Sequence, residues 1–377
     1  ASHNPIEDNG LKFVNSNGKM LCSEEELALT EAIKYNMAIK PFKHMMVILG
    51  YDLRPSSKII RDMIIKKYEM YNIQFIDMKY TTTPQLHYLT INPKFEYISY
   101  LSNHFNKVVG RNKINITVDC ANGVGSLVMG KLNSLKNVSI DLIHATNYNK
   151  VNHKCGAEYV NKMKCGTKLM VKSNHLYASL DGDADRLNFV YMVNNVIQLL
   201  DGDQIGIILG IFIKERLIRL GMTDMAIGFI QTAYANSGST NYINNVLKFE
   251  TEYATTGVKH LHKKAEKYDI GIYFESNGHG TILFSNKVID VLKHRCENDA
   301  EELLALCGFM SNLTGDAIGC LLAIMYIMSL GYNVVENLYL ENPVKQVKVV
   351  IKNKNIIKVN ECETKVIYPV GMQDEIN

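Results

Sequence analysis

The stretch Tyr177–Arg186, YASLDGDADR, decides how the chain is read as a fold. A short apolar run stops abruptly in a loop with carboxylates at alternate positions, which is the form of a buried strand ending in a polar loop. The pattern recurs at Met45–Leu49 before Gly50, Ile116–Val118 before Asp119, Ile227–Ile230 before Gln231 and Ile270–Phe274 before Glu275. Helical patterns lie among these runs at Ser57–Met70, Asp203–Leu220 and Ser239–Leu247, and another follows the last at Asp316–Leu330. Alternation of this kind predicts α/β domains with mixed, mostly parallel sheets, whose ligand loops gather at the carboxyl ends of strands. Asn342 and Pro343 break the pattern, and the alternating, Lys-rich tail Val344–Val359 is expected to form solvent-facing strands of a different unit.

Length and charge narrow the possibilities. A chain of 377 residues predicts two to four compact units, and 47% hydrophobic with 21% charged residues suffices for sizeable cores. Lys plus Arg at 41 against Asp plus Glu at 38 leaves +3, too balanced for the basic face that nucleic acid or an anionic membrane needs. Neither is an expected partner. The longest apolar stretch, Ile318–Leu330, falls short of the ~20 residues that cross a bilayer. Eight cysteines without a CxxC pair point to reduced thiols and a cytoplasmic protein. The chain opens on Ala1 in a turn-forming run, so the natural start is expected to lie upstream.

Within the hexapeptide, Asp181, Asp183 and Asp185 can converge on one hard cation, for which Mg²⁺ is the best match because it uses few carboxylates and pairs with phosphate. An EF-hand is excluded, since its Gly and Glu positions hold Arg186 and Met192. A solvated acidic turn remains the alternative on the hexapeptide alone. Asp201-Gly202-Asp203 resembles it but precedes a helical run, which predicts an N-cap. Glu275-Ser276-Asn277-Gly278-His279-Gly280 concentrates donors and acceptors suited to sugar hydroxyls, with a plain turn as the rival reading. Lys259, His260 and His262 lie beside a helix start, useful next to phosphate or simply exposed. His153, Cys155 and Cys165 form a weak zinc pattern without a fourth ligand. The opening Ala1-Ser2-His3-Asn4-Pro5 reads by itself as a turn, since no nucleophile elbow or triad accompanies it.

Together ASHNP, DGDADR and ESNGHG, in this order, resemble the α-D-phosphohexomutase superfamily. The similarity extends through GYDLRPSS (Gly50–Ser57), TTPQLHY (Thr82–Tyr88), VDCANGVGS (Val118–Ser126), QTAYANSGST (Gln231–Thr240) and TGVKHLH (Thr256–His262), and covers nearly the whole chain. The segment Gly50–Arg54 follows the serine loop instead of preceding it, which favours the acetylglucosamine branch. The resemblance implies a phosphorylated Ser2, with His3 beside it in the catalytic loop. It further implies one Mg²⁺ held by Ser2, Asp181, Asp183 and Asp185, phosphosugar contacts at Arg54, Arg186, Glu275, Asn277 and His279, and Lys259 or His260 as general base. The expected reaction converts N-acetylglucosamine 6-phosphate to the 1-phosphate through a 1,6-bisphosphate, a step toward UDP-N-acetylglucosamine.

The resemblance also divides the chain. It implies three doubly wound α/β units plus part of a fourth α+β domain: a phosphoserine domain over 1–108, a metal-binding domain over 109–222, a sugar-recognition domain over 223–340, and the start of a phosphate-binding domain over 341–377. No RPSGTE-like clamp loop follows Gly371-Met372-Gln373, so a fragment with weak or no turnover is expected. Two positions depart from the family, Tyr51 for Arg and Thr255 for Lys. Rival readings are an aspartyl phosphatase using DGDADR and a phosphosugar-binding remnant without turnover.

Overall fold

The computed structural model describes residues 9–35, 46–93, 96–132, 134–193, 196–310, 314–335, 338–344, 347, 349, 351, 353 and 356–376. The chain separates into two compact units, residues 1–200 with 312–332, and residues 201–311 with 333–377.

In the first unit, β1 (Met46–Tyr51) pairs in parallel with β2 (Gln74–Tyr80) across the helix Pro55–Met70. A five-stranded sheet follows, built from β3 (Ile114–Asp119), β4 (Val138–Ile143), β5 (His175–Leu180), β6 (Leu187–Val193) and β7 (Val196–Leu200). Its order is β4-β3-β5-β6-β7, with β3 parallel to β4 and β5, and the remaining pairs antiparallel. Ile116 and Val118 point into the core and are buried. The helix Tyr97–Val108 buries Tyr97, Ile98, Leu101 and Phe105, a stripe at helical spacing. The helix Ala317–Ser329, apolar all round, returns to this unit and is buried against β3 and β6. Asp316 starts it, accepting the N–H groups of Ile318 (3.1 Å) and Gly319 (2.9 Å). The Tyr97 hydroxyl donates to the same carboxylate at 2.7 Å.

The second unit holds a four-stranded sheet of β8 (Ile227–Thr232), β9 (Glu250–Ala254), β10 (Ile270–Phe274) and β11 (Gly280–Phe284), in the order β11-β10-β8-β9. Here β8 is parallel to β9 and β10, while β11 runs antiparallel to β10. The order and polarity repeat those of β6-β5-β3-β4. The helix Gly202–Arg219 begins at the expected cap, where the Asp201 carboxylate accepts from Asp203 N–H at 3.0 Å. Ser237–Tyr242 is helical and continues as one π-helical turn through Leu247.

All five strands read from the sequence are present, the first from Met46, with Met45 outside the described residues. The tail differs. Of the described residues between Val344 and Val359, only β12 (Lys358–Val359) is paired, with β13 (Val366–Tyr368). Among the described residues the apolar face of this segment is not packed, since Val344, Val347 and Val349 are 59%, 67% and 72% exposed.

Candidate functional site

In both large sheets the chain leaves the central parallel strand for one neighbour and then crosses to the other side, which makes a switch point between β3 and β5 and another between β8 and β10. The loops at the carboxyl ends of those strands are VDCANG and DGDADR in the first unit, and QTAYANS and ESNGHG in the second. Each unit thus offers one polar loop cluster.

In the first cluster Asp181, Asp183 and Asp185 are all buried, with carboxylate oxygens within 4.8 Å of one another. Asp181 Oδ1 accepts the backbone N–H groups of Asp185 (3.1 Å) and Arg186 (3.2 Å), which fixes the loop as a turn. The turn places Ala184 in the left-handed region at φ +57°. Gly123 lets the neighbouring loop approach, because a Cβ there would lie 2.4 Å from the Gly182 carbonyl oxygen. Burial, followed by the charges of Asp185 and Asp183, raises the Asp181 pKa well above the usual carboxylate range, against the opposing charges of Arg186 and Lys12.

The charge balance is met by a residue the sequence reading did not single out. Lys12 Nζ lies 2.7 Å from both Asp183 Oδ2 and Asp185 Oδ2. Burial opposes its protonation, but Asp183 and Asp185 together hold its pKa above the ordinary lysine value. An ammonium bridging two carboxylates marks where a cation sits, and Asp183 Oδ1 is buried without a hydrogen-bond partner. Oxygen donors, a stand-in cation and an unsatisfied oxygen fit a hard divalent ion. Thr83, also missed, donates to Asp183 through its hydroxyl, and its N–H donates to the Asp183 carbonyl at 3.1 Å. The available signal was position within marked stretches: Lys12 follows the Asn9-Gly10 turn and Thr83 is the second residue of TTPQLHY.

Arg186 does not stand free at the mouth of this cluster. Its Nη1 donates to Glu158 Oε2 at 2.8 Å, and its Nε lies 3.9 Å from Asp185 Oδ1. Arg54, 2% exposed, is paired with Asp52 (3.6 Å) at the start of the helix Pro55–Met70. Asn9 donates to the Ser57 hydroxyl in the same turn at 2.7 Å. Ser2 and His3 lie outside the described residues. Tyr51 packs its ring against Tyr80 with centroids 5.0 Å apart.

In the second cluster Glu275 is anchored from two sides. Its Oε1 accepts the Gly257 N–H at 3.1 Å, and its Oε2 accepts from Asn277 Nδ2 at 3.1 Å. Asn277 Oδ1 in turn accepts the His279 N–H at 2.9 Å, so the amide organises its own loop. Gly257, at φ +117°, is the turn into the helix Val258–Ala265, whose first residues include Lys259 and His260. The Glu275–Gly257 contact therefore brings ESNGHG beside TGVKHLH. A further residue, Asp203, is fully buried and accepts from Asn236 N–H (2.9 Å) and the Ser276 hydroxyl (3.1 Å), tying QTAYANS to ESNGHG. Its sequence signal was read only as a cap. A cavity of about 710 Å³ lies beside Tyr234, Ser237, Tyr253 and Thr256 and is closed on another side by Glu363 and Thr364. There Thr255, one of the two departures, donates to the Glu361 carbonyl at 2.6 Å.

Residues 201–332 match the family described as phosphoacetylglucosamine mutase AMG1, domain III, and residues 1–40 match phosphoglucomutase/phosphomannomutase, α/β/α domain I. Phosphoacetylglucosamine mutase 1 of Schizosaccharomyces pombe is 36% identical over all of this chain and 82% of its own. The crystal structure of Aspergillus fumigatus N-acetylphosphoglucosamine mutase in complex with GlcNAc-6P and magnesium is 33% identical, with a TM-score of 0.89 over 100% of this chain and 78% of that one. A variant of the A. fumigatus mutase with one serine replaced by alanine, in complex with glucose 1,6-bisphosphate, is 32% identical, with a TM-score of 0.89 over 99% of this chain and 78% of that one.

Proposed function

Because the chain belongs to the phosphoacetylglucosamine mutases of the α-D-phosphohexomutase superfamily, we propose that it interconverts N-acetylglucosamine 6-phosphate and N-acetylglucosamine 1-phosphate through a phosphoserine at Ser2 and a 1,6-bisphosphate. The observation that carries the reading furthest is the buried trio Asp181, Asp183 and Asp185 closed on the Lys12 ammonium, a pocket built for positive charge beside an anionic reaction. Mg²⁺ bound by the trio would supply neutralisation of charge on the transferred phosphoryl group. The A. fumigatus complexes with GlcNAc-6P and magnesium and with glucose 1,6-bisphosphate support both the ligand class and the intermediate.

The remaining work falls to this chain's own side chains. In the forward direction the sugar O1 attacks phosphorus, the bond from phosphorus to the Ser2 oxygen breaks, and the O1 proton passes to Lys259 or His260 at the helix start. After the bisphosphate turns over, its 6-phosphate returns to Ser2 and the 1-phosphate leaves. Glu275 and His279 hold the sugar hydroxyls, with the loop kept in shape by the Asn277 bridge. Glu158 and Asp185 orient the Arg186 guanidinium, and Arg54 serves the phosphosugar from the neighbouring turn. In this reading residues 1–108 carry the phosphoserine, 109–222 the metal loop, 223–340 sugar recognition, and 341–377 the beginning of a phosphate-binding domain. The protein would work in the cytoplasm, in UDP-N-acetylglucosamine synthesis. No helix among the described residues is long and apolar enough to cross a membrane.

Phosphate mapping by mass spectrometry tests the carrier. Acid-stable phosphate on Ser2 that disappears in Ser2→Ala, together with loss of N-acetylglucosamine 1-phosphate formation, is expected. Unchanged phosphate occupancy in that variant, or a hydroxylamine-labile phosphate on Asp181 or Asp183, would replace this reading with the aspartyl phosphatase.

A further inference from the structure

The ends of β3 and β4, one strand away from the acidic trio, carry a second group of metal-ligating side chains. Asp119 ends β3, His144 follows β4 directly, and Cys155 comes from the loop that leads to the helix Ala157–Met163. One ligand atom from each lies within 4.8 Å of the others. This is not the set suggested by sequence spacing: Cys155 is used, but Asp119 and His144 take the places of His153 and Cys165.

The geometry is prepared in advance. Asp119 is fully buried, and its two oxygens accept the N–H groups of Ala121 and Gly156, each at 2.9 Å. A carboxylate has about four lone-pair sites, so two remain for other partners. His144 Nδ1 is buried and faces Asp119 Oδ1 at 3.2 Å, an ion-pair distance, with no other partner at that nitrogen among the described residues. That separation matches the edge of a tetrahedron with metal bonds of ~2.0 Å, which is about 3.3 Å. Cys155 is 1% exposed, and Asn122 Nδ2 donates toward its sulfur at 3.8 Å. Asn122 also fixes the loop by accepting the Asn147 N–H at 3.0 Å. Supporting hydrogen bonds of this kind orient first ligands in metal sites.

We propose that Asp119, His144 and Cys155 bind one Zn²⁺-class ion, distinct in chemistry from the oxygen-only trio. A thiolate, an imidazole and a carboxylate suit a borderline ion such as Zn²⁺ or Co²⁺ and reject Mg²⁺. The His144 side chain is 20% exposed, which leaves an edge through which a water completes four-coordination. On binding, the Cys155 thiol proton leaves to solvent as the metal–sulfur bond forms, and no electron changes hands. Affinity therefore rises with pH. The ion would clamp the loop 144–156 to the strand that ends beside DGDADR.

Cobalt(II) reports the sulfur directly. The full chain is titrated with Co²⁺ in excess Mg²⁺, which occupies the acidic trio. One equivalent should bind with a thiolate-to-cobalt charge-transfer band in the near ultraviolet. Cys155→Ser should abolish the band, and His144→Ala, at a partly exposed site that does not threaten folding, should weaken binding at least tenfold. Cys165→Ser and His153→Ala should leave both unchanged. Absence of the band in the wild-type chain, its survival in Cys155→Ser, its loss in Cys165→Ser, or unchanged affinity in His144→Ala would each overturn the assignment.

Discussion

Replacing Lys12 by methionine keeps most of the stem and removes the ammonium that lies 2.7 Å from both Asp183 Oδ2 and Asp185 Oδ2. A divalent ion bound by those oxygens must displace this ammonium or bear its repulsion, so Lys12→Met is expected to tighten Mg²⁺ binding. Two unit charges 2.7 Å apart at an effective dielectric of about 20 attract by roughly 6 kcal/mol. That is an upper bound, because the Lys12 side chain is 42% exposed and exposed pairs contribute only ~0.2–1 kcal/mol each. The two carboxylates are 7% and 4% exposed, which sets the pair of contacts between those limits, at ~1.5–2 kcal/mol in total. The dissociation constant for Mg²⁺ should then fall about 10- to 30-fold. Calorimetric titration of both proteins measures it, and the gap should narrow as salt screens the exposed part of the interaction. Stability gives a second readout. Asp181, raised by burial and by Asp185 and Asp183, contributes stability while protonated, fully below its unfolded pKa, and loses it as pH rises through its folded pKa. Without Lys12 the metal-free protein should lose stability more steeply toward neutral pH, and Mg²⁺ should restore it. Equal or weaker Mg²⁺ affinity in the variant would refute the view of Lys12 as a stand-in cation.

Asp183→Asn should weaken Mg²⁺ binding and slow transfer, since an amide oxygen lacks the charge a hard cation favours; unchanged Mg²⁺ dependence of turnover would count against the trio. Gly123→Ala should lower unfolding free energy by about 2–3 kcal/mol, as its Cβ would meet the Gly182 carbonyl at 2.4 Å, and a wild-type urea midpoint would contradict that close approach. Glu275→Gln keeps an acceptor for Gly257 N–H but sets an amide donor against Asn277 Nδ2, so kcat/KM should drop about 5- to 30-fold, with ~1–2 kcal/mol lost; kinetics equal to wild type would show that the bridge is dispensable.

The sequence made the strands legible because each buried parallel strand is an uninterrupted apolar run cut off by a polar loop, as at Ile270–Phe274 before Glu275. It also marked the acidic trio, since alternate carboxylates directly after such a strand can converge on one cation, although the hexapeptide alone reads equally as a solvated acidic turn. Lys12 was less visible because a lone lysine becomes informative only when the chain brings it 2.7 Å from residues some 170 positions away. Asp119 and His144 were hidden for the same reason: neighbouring strand ends, not sequence spacing, put them together. The tail misled because alternation records one apolar face, while strand formation also requires a partner surface. The exposed Val347 and Val349 have none among the described residues.

The repeated strand order explains why polar chemistry concentrates where it does. In each sheet, the third parallel strand turns into an antiparallel partner through a short loop, DGDADR between β5 and β6 and ESNGHG between β10 and β11. An antiparallel turn at a switch point leaves that loop beside the end of the central strand, so its side chains meet a second loop instead of solvent alone. In one unit the backbone of DGDADR, whose three carboxylates are buried, meets Gly123 and Val124, and the Val124 N–H donates to the Gly182 carbonyl at 3.0 Å. In the other it buries Asp203 and Glu275 among N–H and hydroxyl donors. In the proposed function the same backbone position would therefore serve cation binding where its loop carries alternate aspartates, and hydrogen bonding to the sugar where it carries Glu, Asn and His. The division follows from side chains alone, because the two sheets hold those loops in the same way.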